Sequence, residues 1–244
     1  MLRVYSPEWD GGEALPPLAP EEAHHLFRVR RVRPGEPVEL LNGSGAVGQC
    51  RAGGARGPEL ELDSVTVVPP PALRVHLLVA LPKGKTFPAL LQKAVELGVS
   101  EVTPLLTEHA EAPPGKAGAK QERWEAILIE ALKQSGNPWL PVLAPPVPLA
   151  AVLQRKPSGP RLCAALQPDA VPLWSFLNDL PAPPADAQVF VGPEGDFSPA
   201  EYERLRVAGC RFVSLGPLVL RVETAAALVA GALRLYGLAP SAGI

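Results

Sequence analysis

Beyond residue 71 the chain alternates short apolar runs with helical patterns, and this rhythm constrains the fold more than any other feature. Val75 to Leu81 is an apolar run interrupted only by His76. Phe87 to Leu97 has helical spacing and stops at Gly98. Val102 to Leu105, Leu162 to Leu166, Gln188 to Val191 and Phe212 to Leu215 are further short extended runs. Between them, Glu122 to Gln134 places Trp124, Ile127, Leu128 and Ala131 on one helical face. Strands that alternate with helices build a parallel sheet covered by those helices, so this part is read as an α/β domain. A last helix, about Glu223 to Tyr236, is apolar on most sides and is expected to be buried, with a second subunit as one candidate partner. The Pro-rich stretches 141–148 and 181–185 are expected to be surface connections.

Residues 1 to 70 follow a different rhythm. Two extended segments flank Asn42-Gly43, a hairpin signal because both residues accept positive φ. Glu59 to Val68 alternates at period two, as a half-buried strand does. Pro69-Pro-Pro71 then closes the segment as a stiff linker. One helix is expected from Pro20 to Val29, leading into Arg28, Arg30, Arg31 and Arg33. The pattern fits a small β-barrel carrying one short helix, which gives two domains, 1–70 and 71–244.

A chain of 244 residues, 47% of them hydrophobic, can bury a full core. Its 23 basic and 25 acidic side chains nearly cancel, so contact with nucleic acid would have to come from a local patch. Cys50, Cys163 and Cys210 lie far apart without metal or redox spacing, which fits a reducing cytoplasm. No signal-peptide run and no long apolar stretch is present, and the expected location is cytoplasmic, with no membrane partner.

The residues exclude several chemistries. Gly84-Lys-Thr86 resembles the end of a P-loop, but that motif needs glycine at position 79, which is valine. No G-x-G-x-x-G or G-x-S-x-G element occurs. His24, His25, His76 and His109 lack zinc-site spacing and are read as structural or surface histidines, so no metal is expected. The stretch Val189-Phe-Val-Gly-Pro-Glu-Gly-Asp-Phe-Ser-Pro-Ala-Glu201 is more informative. An apolar run breaks into a Gly/Pro turn, and Ser198-Pro-Ala-Glu201 forms a capping box with proline at the first helical position. Leu215-Gly-Pro-Leu-Val-Leu220, followed by Arg221 and Glu223, offers a second bend. Such junctions at the carboxyl ends of strands bind ligands in α/β sheets. An apolar slot lined with backbone groups suits an adenine ring.

In register, Ala80-Leu-Pro-Lys-Gly84, Gln92-Lys-Ala-Val-Glu-Leu-Gly98, Glu122-Arg-Trp124, Gly192-Pro-Glu-Gly195 and Leu215-Gly through Leu220-Arg-Val-Glu-Thr-Ala225 carry a family resemblance. The sequence resembles the 16S ribosomal RNA (uracil-1498-N3)-methyltransferase family of the SPOUT superfamily over nearly its whole length, including His25-Leu-Phe-Arg-Val-Arg before Pro34-Gly35. The resemblance implies a C-terminal α/β trefoil-knot domain with a mostly parallel sheet, a PUA-like N-terminal barrel and a homodimer. It implies S-adenosyl-L-methionine as cofactor, lined by Leu166, Gly192, Pro193, Gly195, Leu215, Gly216, Leu218, Leu220 and Arg221. The chain departs from the family pattern at Asp196, where glycine is usual, and at His109 and Asn137, where arginine is common.

The implied reaction methylates N3 of U1498 in 16S rRNA of the 30S small ribosomal subunit. Arg221 would stabilise developing charge on the base, with Glu194 and Glu223 as candidates for orientation or proton removal. RNA would meet Arg28, Arg30, Arg31 and Arg33 on the first domain, and Lys83, Lys85 and Lys93 on the second. Two alternatives stay open: a non-catalytic RNA-binding or ribosome-assembly factor, and a SPOUT methyltransferase acting on another RNA site.

Overall fold

The computed structural model describes residues 1–53, 59–110 and 120–238. The chain divides into two compact units: Met1–Pro70 with Ile129–Leu140, and Pro71–Leu128 with Pro141–Ile244.

In the first unit, β1 (Leu2–Tyr5), β2 (Pro37–Leu41), β3 (Ala46–Ala52) and β4 (Leu60–Val67) form one sheet in sequence order. β1 and β2 are parallel, and the other two pairs are antiparallel. The Asn42-Gly43 signal marks a real reversal between β2 and β3, with Gly43 at φ 74°. Asn42 secures that turn, its Oδ1 accepting the amides of Ser44 and Ala46. Helix α1 (Pro20–Ala23) passes directly into a π-helical segment, His24–Val29, where a plain α-helix was expected. Leu26 is the buried residue of that segment, and it joins Val4, Trp9, Val38, Leu40 and Cys50 in the core. Ile129–Leu140 belongs here through specific bonds. The guanidinium of Arg3 donates to the carbonyls of Lys133 and Gln134, the Lys133 ammonium pairs with Glu22 at 2.7 Å, and the Trp139 indole donates to the Val68 carbonyl.

In the second unit, β5 (Arg74–Ala80), β6 (Glu101–Leu106), β7 (Val142–Leu143), β8 (Val147–Pro148), β9 (Arg161–Ala164), β10 (Val171–Pro172), β11 (Asp186–Val191) and β12 (Arg211–Ser214) form one sheet. Its order is β10-β12-β9-β11-β5-β6-β7, with β8 also on β6. Every pairing is parallel. Helices α2 (Thr86–Glu96), α4 (Leu149–Leu153), α5 (Leu173–Asn178), α6 (Pro199–Val207) and α7 (Val222–Leu238) belong to the same unit, whereas α3 (Gln121–Ser135) begins in it and passes at Ile129 into the first. Parallel strands covered on both faces need continuous apolar runs. From Leu77 to Ala80 every residue of β5 is buried accordingly.

One expectation is corrected. Residues 141–148 are more than a surface connection, because β7 and β8 extend the sheet edge beyond β6. The last helix turns Val222, Ala226, Val229, Ala230 and Leu233 to the unit's interior and leaves Leu228, Leu235 and Leu238 exposed within the single chain, the face on which a second subunit is expected.

Candidate functional site

Registered side by side, the carboxyl ends of β9, β11, β5 and β12 stop at one level, with Val191 opposite both Ala164 and Val79, and Ala164 opposite Val213. The chain turns there, and a cleft of about 530 Å³ opens. That volume lies in the range of small-molecule sites. Three stretches supply most of the wall: Ala164–Leu166, Val191–Asp196 without Gly195, and Leu215–Ala225 without Pro217 and Thr224; Thr86 adds the first residue of α2.

Each turn has a local cause. After β12, Gly216 holds φ 126°, a backbone state that excludes ordinary side chains, and its amide meets the Ser214 hydroxyl at 3.3 Å. Leu218 and Val219 follow with 73% and 84% of their surface exposed, so apolar rim is presented to solvent. The carbonyl of Arg221 accepts the Ala225 amide at 2.8 Å, which starts α7 beside the cleft. Arg221 and Glu223 therefore lie at a helix N-terminus.

After β11 the turn closes through the Asp196 amide on the Pro193 carbonyl. A Cβ at Gly192 would lie 3.0 Å from Asp196 Oδ1 and 3.2 Å from the Phe197 ring, so any side chain there would press both neighbours aside. Asp196 sits at φ 58°, left-handed for a non-glycine residue. Its Oδ1 accepts the Phe197 amide at 2.8 Å and the Tyr202 hydroxyl at 2.6 Å. Burial and the Asp196 carboxylate both push the Tyr202 phenol upward, so it stays a proton donor. The capping box on α6 is complete, with Ser198 and Glu201 bonded reciprocally. The second oxygen of the buried Glu201 accepts the Glu108 amide at 2.9 Å. Beside it, His109 Nδ1 donates to the carbonyls of Gly195 and Asp196, and the Asp196 carbonyl, chiefly, raises the imidazole's pKa.

The structure gathers Leu166, Gly192, Pro193, Glu194, Leu215, Gly216, Leu218, Leu220, Arg221 and Glu223 around the one cleft. Gly195 is not on its wall; its Cα backs onto His109 instead. Thr86, Ala164, Ala165, Val191, Val219, Val222 and Ala225 line it without having been singled out in the sequence. Glu194 is engaged, its carboxylate accepting the Lys83 backbone amide at 3.1 Å. Lys83 and Lys85 are exposed in the loop before α2, whereas Lys93 lies further along that helix, beside the Ala226, Ala227 and Ala230 face of α7. Arg28, Arg30, Arg31 and Arg33 are exposed at the end of the π-helical segment in the first unit, with Arg31 at φ 55°.

Other reactive groups serve the framework. His76 bridges Asp186 at 3.1 Å and Glu101 at 3.4 Å at the amino ends of β5, β11 and β6. All three cysteines are buried, and burial pushes the thiols of Cys50 and Cys210 up to about 11 and about 12, too high for a thiolate nucleophile at neutral pH. Among the described residues no group of three metal-ligating side chains is brought together.

Comparison with known proteins agrees with this geometry. Residues 69–234 match the RNA methyltransferase domain, and residues 18–51 match the RNA methyltransferase PUA domain. A SPOUT-like α/β methyltransferase carrying a PUA unit is the class these matches and the parallel-sheet cleft define. The ribosomal RNA small subunit methyltransferase E of Synechocystis is 33% identical, with 87% of this chain and 70% of that protein aligned. The Mycobacterium bovis protein of the same name is also 33% identical, over 87% of this chain and 83% of its own. A methyltransferase from Legionella pneumophila, solved with the bound cofactor SAM, superposes with a TM-score of 0.83 at 30% identity, covering 96% of this chain and 97% of its own. Ribosomal RNA small subunit methyltransferase E from Neisseria gonorrhoeae, bound to S-adenosyl methionine, gives 0.83 at 29% identity with the same coverage. The chain belongs to the ribosomal RNA small subunit methyltransferase E family.

Proposed function

We propose that the cleft binds S-adenosyl-L-methionine and that the protein methylates N3 of U1498 in 16S rRNA of the small subunit. The observation that carries this reading is the cleft itself. Backbone turns and the side chains of Leu166, Leu218 and Leu220 make an apolar slot for a nucleoside, and Arg221 stands at its edge. Solved relatives bind the same cofactor.

S-adenosylmethionine, held by the backbone turns with Leu166, Leu218 and Leu220, would supply an activated methyl and leave as a neutral thioether, N3 of the base exchanging its proton for that methyl. The protein's work is then positioning and charge. N3 is hidden by pairing or stacking, so the base must be presented unpaired. Arg221, on the cleft wall, would stabilise negative charge developing on the uracil ring. Glu223, in the first turn of α7, is the candidate acceptor for the N3 proton. Glu194 orients, since its carboxylate already holds the Lys83 amide. Exposed Arg28, Arg30, Arg31 and Arg33 supply phosphate contacts, with Lys83, Lys85 and Lys93 on the second unit. A homodimer would cover the exposed Leu228, Leu235 and Leu238 of α7, and the setting is the cytoplasm.

Labelled methyl transfer tests the reading. Counts should enter small subunits or their 16S RNA in an amount approaching one methyl per RNA. Label in tRNA or large-subunit RNA alone would point to another target, and no label despite cofactor binding would point to a non-catalytic factor.

A further inference from the structure

We propose that Asp196 sets the charge of the cleft so that it favours a sulfonium methyl donor over the neutral thioether left after transfer. This rests on the cofactor reading above. Among the described residues, the charged side chains lining the cleft are Glu194, Asp196, Arg221 and Glu223, three carboxylates against one guanidinium. Two of the three carboxylates have compensation nearby. Glu194 is bound by the Lys83 amide, and Glu223 sits in the first turn of α7, next but one to Arg221, where the helix dipole favours it.

Asp196 differs. Its hydrogen bonds come from neutral donors, the Phe197 amide and the Tyr202 hydroxyl, and both go to Oδ1. Among the described residues its carboxylate makes no ion pair; the His109 imidazole beside it is bonded to the Asp196 backbone carbonyl, not to the carboxylate. Its backbone stays at φ 58°, which a non-glycine residue adopts at some cost. Asparagine would satisfy that backbone and accept the same two hydrogen bonds. The turn therefore explains an acceptor at this position but not a charge. The charge instead acts on what enters the cleft. S-adenosylmethionine carries a sulfonium and an ammonium against one carboxylate, and its demethylated product lacks the sulfonium. A fixed carboxylate at the wall attracts the donor more than the product, and added salt weakens that attraction.

The test is calorimetric titration of wild type and Asp196→Asn with S-adenosylmethionine and with S-adenosylhomocysteine, at low salt and at roughly 0.5 M salt. Asp196→Asn should lose affinity for the donor by roughly three- to tenfold and keep affinity for the product within about twofold. In wild type, the preference for the donor should shrink as salt rises. Tyr202→Phe, which removes a donor to Asp196 but leaves the charge, should keep the preference. Equal losses for both ligands in Asp196→Asn, or a preference insensitive to salt and to the substitution, would overturn the proposal while leaving the cofactor site standing. Failure of wild type to bind either ligand would remove the cofactor reading and this inference together.

Discussion

The carboxylate of Glu194 accepts the backbone N–H of Lys83 at 3.1 Å, joining the turn after β11 to the loop after β5. These strands are paired neighbours, so the bond clamps two adjacent strand ends from which Glu194 and Thr86 both reach the cleft. A clamp needs only an acceptor, whereas a general base needs a titratable group. Glu194→Gln should therefore keep kcat/KM within about threefold and leave the pH profile unchanged. Glu194→Ala should lower kcat/KM by roughly tenfold, about one hydrogen bond's worth. Loss of activity in the glutamine variant would make Glu194 the proton acceptor instead.

Arg221 is exposed beside the cleft and starts α7 through its backbone carbonyl, which any residue supplies. Arg221→Ala should lower the methyl-transfer rate by on the order of a hundredfold or more, with an unfolding temperature close to that of wild type. Single-turnover kinetics at saturating RNA and cofactor would read this directly. A near-normal rate would remove Arg221 from the reaction.

The exposed Arg30 and Arg33 carry no ion pair among the described residues. If they meet phosphates, the double variant Arg30→Ala/Arg33→Ala should flatten the dependence of log affinity on log salt by roughly 1.5. An unchanged slope in filter binding would show an ordinary solvated face.

His76 lies between Glu101 and Asp186 at the opposite ends of the strands from the cleft. The hydrogen bond to Glu101, chiefly, raises its pKa against the opposing effect of burial. A raised folded pKa means that the contribution to stability is complete below the ordinary histidine value of about 6.5 and is lost as pH rises through the folded value. The unfolding temperature of wild type should thus fall relative to His76→Gln as pH rises above about 6.5, by roughly a degree or two. Parallel curves for the two proteins would show that the bridge adds nothing.

What the residues revealed in advance was backbone chemistry with a strong local signature. Ser198 and Glu201 form the capping box that their spacing announces, and Gly192 lets the Phe197 ring pack close against the turn. The α/β class with its parallel sheet followed from the alternation of apolar runs and helices. Ala164, Ala165 and Val191 read only as strand because small apolar residues at strand ends look like core, and the registration of β9 against β11 is what makes them cleft wall. The association of Ile129–Leu140 with the first unit depends on Arg3, Glu22 and Val68, more than sixty residues distant, which no local pattern encodes. The π-helical form of His24–Val29, which puts Leu26 in the first unit's core, likewise has no local pattern that separates it from an α-helix. Asp196 was visible as a departure, but its bond to Tyr202 required the structure.

Nucleoside-resolved mass mapping of 16S RNA tests the central claim most directly. Small subunits lacking the modification would be incubated with S-adenosylmethionine and either wild-type protein or Arg221→Ala. The account predicts one added methyl, on N3 of U1498, with wild type and its near absence with the variant. A methyl on another atom or another nucleotide, or equal modification by both proteins, would contradict it.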